Sequence, residues 1–316
     1  MTDSLPIQPD LHFQLLDLQQ VHFPDDFLRF LHDGVIDTLT LRNIQEFGQL
    51  YPLLVRQQTE NQYQILASYP YFTAIKMSGI KKVTCQILPH TISPYILFSL
   101  QILHDLSSPQ ASPILQAHLF RKAQLALPEE DLLSLLSLMG YKPQRHKLKE
   151  LTDLLQLEPT AILALHRGSL SRKLGKHLAL LNHEDQRHLV NLISTYRLGG
   201  SKQHKMVEMV TELVLRDKIP AGEIINKWLP DDEKTSSENM PQQLNGLMQC
   251  LNEQCSPGKT AAEKNFRKLV QELQPPEEIT VEHSLSFEDE QLEVRLRFAN
   301  AATLREKWAE IKTFVH

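Results

Sequence analysis

The chain has only three cysteines in 316 residues, Cys85, Cys250 and Cys255. That excludes a disulfide framework, and no His or Cys partner stands at metal-ligand spacing from them. Plain thiols in a reducing compartment are expected. No apolar run reaches the roughly 18 residues needed to span a bilayer. "MTDSLPIQPD" has no apolar stretch of the kind a signal peptide needs, so the expected location is cytoplasmic, with no membrane partner. Residues 1–27 contain no Lys or Arg. Excess positive charge is missing as well: the net charge is −5, which does not by itself advertise a nucleic-acid partner. "SPGKT" at Ser256 to Thr260 lacks the first glycine and the preceding buried strand of a phosphate loop. The rest of the composition is that of a soluble globular protein large enough for two or three domains.

Periodicity orders the chain. "LHFQLLDLQQVHF" can hold a first strand. In "IDTLTLRNIQEFG" the residues Leu39, Leu41, Ile44 and Phe47 fall at helical spacing, and Gly48 ends the helix. "PLLVRQ" and "YQILAS" read as strands around the polar turn "TENQ". "YFTAIKMSG" reads as a helix and "KKVTCQIL" as another strand. Together they predict a small α/β domain over residues 1–92. From about Ser93 the pattern is helical up to residue 228. Within it, "PEEDLLSLLSLMG" and "QRHKLKELTDLLQLEP" form two helices around "YKPQ". Gln144, Arg145, His146, Lys147 and Lys149 open the second of them, which makes a helix-turn-helix candidate. Residues 229–275 read as a linker with one short helix, "LNGLMQCLNEQ". Residues 276–316 predict a β-hairpin and a final helix with Leu304, Trp308, Ile311 and Phe314 on one face.

Charge is unevenly spread. Lys142 to Lys205 holds twelve Lys or Arg against five Asp or Glu, whereas Ala221 to the end holds eleven against seventeen. A basic helical middle suits DNA phosphate, and its bland reading is a solvated surface. Six of the fourteen histidines also lie in the basic stretch, but none has a Cys or acidic partner at ligand spacing. No metal is expected.

This order of elements resembles the ParB-type chromosome and plasmid partition family. The similarity runs through "IDTLTLRNIQEFGQLYPLLVRQQTENQYQILASYPYFTAIKMSGIKKVTCQIL", and the Gly48 to Arg56 stretch is its most telling part. "LLSLMGYKPQRHKLKELTDLLQLEP" sits where the family has its helix-turn-helix. "GSLSRKLGKHLALL" followed by Gln186 is similar to the family's next segment. The resemblance implies an α+β multidomain fold. Its parts are a small α/β ParB/sulfiredoxin-like N-terminal domain, an all-α helix-turn-helix middle domain and a small C-terminal hairpin-plus-helix dimerisation domain. It also implies double-stranded DNA as partner, a homodimer, and a nucleoid-associated location.

The resemblance breaks at one loop. There the family carries Gly-Glu-Arg-Arg and a further Arg, which hold the triphosphate of CTP. Here the positions read Ser68, Tyr69, Pro70, Tyr71 and Thr73. Phosphate needs positive donors, and Pro70 removes an N–H. The family's second nucleotide motif falls near Ser99 to Leu103, where only a shifted Gln101 remains. The nucleotide loop therefore reads as degenerate, with no cofactor. Tyr69 and Tyr71 then read as packing residues, or less readily as a new partner surface.

Gln144, Arg145, His146, Lys147 and Lys149 are expected to face DNA, and Arg167, Arg172, Lys173 and Lys176 to hold its backbone. Catalysis is not expected, because Cys85 lies on a buried strand and no acid pair or nucleophile occupies the loop. The family's partner ATPase is doubtful, since no basic N-terminal arginine motif is present. The alternative is a protein–protein adaptor that kept the fold and lost DNA and nucleotide binding; Glu150 and Asp153 on the second helix favour it.

Overall fold

The computed structural model describes residues 12–32, 37–107, 111–228, 240–283 and 291–314. The chain divides into two compact units, Met1–Val207 and Glu208–His316. The division falls inside a helix rather than near residue 228, and Val210 and Leu213 just beyond it are fully buried.

The first unit opens with a five-stranded mixed sheet of order β1-β5-β3-β4-β2. Its strands are β1 (His12–Asp17), β2 (Val21–His22), β3 (Leu53–Thr59), β4 (Gln62–Ile65) and β5 (Lys82–Leu88). β1 pairs antiparallel with β5, β5 parallel with β3, β3 antiparallel with β4, and β4 parallel with β2. Alternation in β5 buries Val83, Cys85 and Ile87 and exposes Thr84. Three helices belong to this part: α1 (Asp26–His32), α2 (Thr38–Phe47) and α3 (Tyr69–Ser78). Asp37 caps α2 by accepting from the Leu39 and Thr40 N–H groups, and Gly48 ends it at φ 76°. α1 has no counterpart in the reading of the sequence. Seven residues are too few for a periodic pattern to stand out.

Gln49 explains the weight of the Gly48 to Arg56 stretch. Its amide accepts from Thr84 N (2.7 Å) and donates to Thr84 O (2.8 Å). One side chain thereby extends the β5 ladder past the start of β3, where the main chain has already left the sheet.

The helical part follows as α4 (Pro94–Gln101), a π-helical turn (Ile102–Leu106), α5 (Pro113–Ala123), α6 (Glu129–Leu138), α7 (Arg145–Asp153), α8 (Pro159–His166), α9 (Gly175–Leu178), α10 (His183–Thr195) and α11 (Gly200–Asp217). The π-turn is closed by the bond from Ser107 N to Ile102 O, 2.9 Å. Phe98, Ile102, Phe120, Leu135, Leu136, Leu148 and Leu151 form the core around the α6–α7 pair. Gly140, at φ 79°, makes the turn after α6 in a conformation that L side chains rarely adopt.

Four aromatic rings, Phe23, His32, Tyr69 and His166, cluster where α1, α3 and α8 meet. The His32 ring lies 5.4 Å from Tyr69 and 5.0 Å from His166, and Phe23 stacks 5.9 Å from Tyr69. His32 is 3% exposed, and its Nε2 has no hydrogen-bond partner among the described residues. Burial, with His166 beside it, lowers the His32 pKa to about 4. Burial, with Arg167 nearby, lowers that of His166 to about 4 as well. Unfolded, both titrate near 6.5. Between these values the unfolded chain binds more protons, so stability is full above about pH 6.5 and falls as the pH drops toward 4. By pH 5 the loss should be on the order of 2 kcal/mol per histidine. His32→Phe should halve the change in urea midpoint between pH 7 and pH 5; an unaltered change would remove His32 as its source.

The second unit contains the rest of α11, α12 (Ala221–Asn226), α13 (Met240–Cys255), α14 (Pro257–Leu273), β6 (Ile279–His283), β7 (Leu292–Leu296) and α15 (Ala301–Phe314). The expected linker over 229–275 is corrected here: most of it is the two long helices α13 and α14. "CSPGKT" misleads because Pro257 and Gly258 resemble a breaker, whereas proline at the first helical position starts a helix. α13 also buries Leu244, Leu247 and Leu251, so it contributes core. β6 and β7 pair antiparallel, with Val281 opposite Val294. Leu304 and Ile311 on α15 are half-buried and Trp308 is 50% exposed. The side chain of Phe314 lies outside the described residues.

Candidate nucleic-acid interface and the altered loop

α6 and α7 are two helices joined by the turn at Gly140, and α7 carries the expected basic start. Gln144, Arg145, His146 and Lys149 are exposed. Arg145 pairs with Glu129 at the start of α6. Lys147 is half-buried: its Nζ donates to Glu150 Oε2 at 2.7 Å and lies 5.0 Å from the Tyr141 ring centre. These two cations are therefore less free than the sequence implied.

Beside α7 opens a cleft of about 300 Å³. Lys147, Glu150, Arg172, Lys173 and Lys176 contribute its charges, with Tyr141 and His204 on its walls. Arg172 also holds structure, since its Nη2 donates to Tyr141 Oη (2.6 Å) and to Gln116 Oε1 (3.1 Å). Gln116 is buried and donates in turn to Leu106 O (2.9 Å). Lys173 is exposed on the turn before α9, Lys176 is exposed within α9, and Arg167 is exposed after α8. Gly175 lets the start of α9 approach, because a Cβ there would run into Leu154 Cδ2. The structure thus brings Lys147, Arg172, Lys173 and Lys176 to one cleft. Arg167 is not among the residues lining it.

The altered loop is internally filled. Ser68 precedes α3 with φ 57°, a left-handed conformation unusual for a residue with a side chain. Its N–H donates to Asp105 Oδ2, from the π-turn 37 residues away. Asp105 Oδ1 contacts His104 Nδ1 at 2.7 Å, and this bond raises the His104 pKa. A carboxylate of the chain thus stands at the N-terminal end of α3, where helix N–H groups attract an anion. Sequence reading missed Asp105, because only the fold brings residues 68 and 105 together. Tyr69 is buried and donates to Leu66 O (3.1 Å). Tyr71 Oη accepts from Leu50 N (2.8 Å) and Tyr51 N (3.2 Å). Thr73 bonds back to Tyr69 O (3.0 Å), and Pro70 is exposed at the helix start. Gln101 donates to Leu66 O (2.9 Å).

No family model matches the chain. A curated relative is the chromosome-partitioning protein Spo0J of Thermus thermophilus, 27% identical over 145 residues. The match covers 46% of this chain and 51% of that protein, so the chain spans about half the length of the relative. Over those residues the chain is similar to a ParB-type chromosome-partitioning protein. Two solved ParB structures from Caulobacter crescentus, both C-terminally truncated, align with it. The complex with the centromeric parS site is 17% identical and covers 62% of this chain and 98% of its own, at TM-score 0.32. The complex with CTP-gamma-S is 19% identical and covers 58% and 98%, at TM-score 0.23. The ParB-type relationship rests on the sequence match rather than on these superpositions. No described helix is long and apolar enough to cross a membrane, and the described residues contain no group of three or more His, Cys, Asp or Glu fit to hold a metal.

Proposed function

We propose that the chain is a ParB-like DNA-binding protein that acts in partition, DNA organisation or regulation without nucleotide control. The observation that carries this reading is the basic cleft beside α7, where Arg172, Lys173 and Lys176 stand together. Side chains of this kind grip phosphate, while the exposed start of a recognition helix meets base edges. Loss of nucleotide control is supported by the altered loop, which has no arginine and whose helix end already holds Asp105. The hairpin β6–β7 exposes Leu292, Val294 and Leu296, and α15 exposes Trp308. Such apolar faces suit a second copy, so the working form is a homodimer on double-stranded DNA in the nucleoid.

The test is titration of the purified protein with labelled duplex DNA at low and near-physiological salt, with and without CTP. Salt-sensitive binding indifferent to CTP is the expected result. A CTP effect would overturn the reading of the loop. Absence of binding at low salt would favour the adaptor reading, which the acids Glu150 and Asp153 on α7 support.

A further inference from the structure

Resting on the reading of the chain as DNA-binding, we propose that Glu150 is a specificity-determining residue. In this role its carboxylate accepts a hydrogen bond from the N4 amino group of a cytosine in the major groove. The argument begins with the orientation of α7. Leu148 and Leu151 are buried. At about 100° per residue, the face opposite them consists of His146, Lys149, Glu150 and Asp153. Arg145 and Lys147 fall on the flanks, and both are tied, to Glu129 and to Glu150 respectively. The outward face that would enter a groove is therefore not the basic one, and Glu150 stands at its edge on the Lys147 side, beside the basic cleft.

An acid at that place needs a partner with a proton to give. The Glu150 side chain is 46% exposed, and its carboxyl is held below the usual range by the hydrogen bond from Lys147. Ionised, it can only accept. Phosphate oxygens repel it. In the major groove the donors are cytosine N4 and adenine N6. Adenine carries the N7 acceptor beside its amino group, which faces a second carboxylate oxygen unfavourably. Cytosine carries no such acceptor there. The bond at 2.7 Å from Lys147 Nζ fixes the carboxylate and leaves an ammonium next to it. That ammonium matches O6 or N7 of the guanine paired with the same cytosine. The Lys147–Glu150 couple thus presents donor and acceptor in the arrangement that a C·G pair offers. Charge compensation explains how an acid is tolerated at all, since Arg172, Lys173 and Lys176 line the same cleft.

The experiment selects bound duplexes from a randomised pool with the full chain and sequences them, for the parent protein, Glu150→Gln, Glu150→Ala and Asp153→Asn. Glu150→Gln and Asp153→Asn each remove one negative charge, so they share any uniform gain in affinity. The expected result is a C·G requirement at one position in the parent. Glu150→Gln should shift it toward A·T, because glutamine matches adenine N6 and N7, and Glu150→Ala should relax it by about tenfold or more. Asp153→Asn, at the last residue of α7, should leave it in place. If Glu150→Gln and Asp153→Asn raise affinity equally with an unchanged sequence preference, Glu150 is only a phosphate-repelling charge and the inference fails while DNA binding stands. A parent protein that retains no duplex overturns DNA binding itself, and this inference with it.

Discussion

Gln186→Leu should destabilise the first unit by on the order of 3–6 kcal/mol, the largest effect of any single change considered. Gln186 is 2% exposed at the start of α10. Its Oε1 accepts from Glu158 N at 2.7 Å, and its Nε2 donates to Leu178 O (3.0 Å) and Leu181 O (2.9 Å). One amide therefore serves the residue that caps α8 and two carbonyls, one at the end of α9 and one just after it. Leucine fits the volume but leaves three main-chain groups buried without partners, each costing about 1–3 kcal/mol. Gln203 does the same work at the start of α11, accepting from Ser171 N (3.0 Å) and donating to Ser169 O and Leu198 O (both 2.8 Å). Urea unfolding followed by circular dichroism measures the loss. A change below about 1 kcal/mol would mean that water replaces the amide. These contacts hold the segment carrying Lys173 and Lys176, so the same variant should also weaken DNA binding.

The second large effect concerns affinity. Arg167→Ala, Lys173→Ala and Lys176→Ala combined should lower DNA affinity by on the order of 100-fold at near-physiological salt. Each phosphate contact removed should reduce the slope of log affinity against log salt by about 1. All three side chains are exposed, so the fold should not respond. Arg172 is left in place because its bonds to Tyr141 and Gln116 join α5 to the turn before α7. An unchanged salt slope in the triple variant would show that DNA, if bound, lies elsewhere. Equal loss on all sequences is expected, since phosphate contacts carry no base information.

The sequence by itself determined the local elements. Alternation marked the strands, and Gly48 and Gly140 marked the ends of α2 and α6. Lost charges at residues 68–73 marked the altered loop. These signals are local, because a strand, a cap or a missing arginine is written within a few residues. The tertiary structure decided what long separations bring together. It placed Asp105 on Ser68, Gln49 on Thr84, Gln186 on three separate backbone groups, and His32 against His166. It made α13 and α14 of a stretch whose Pro and Gly imitate a linker. It also turned α7 so that His146, Lys149, Glu150 and Asp153 face outward while Lys147 and Arg145 lie along its sides. Which way a helix faces is set by what buries its apolar residues, here Leu148 and Leu151 against α5 and α6, and that packing exists only in the folded chain.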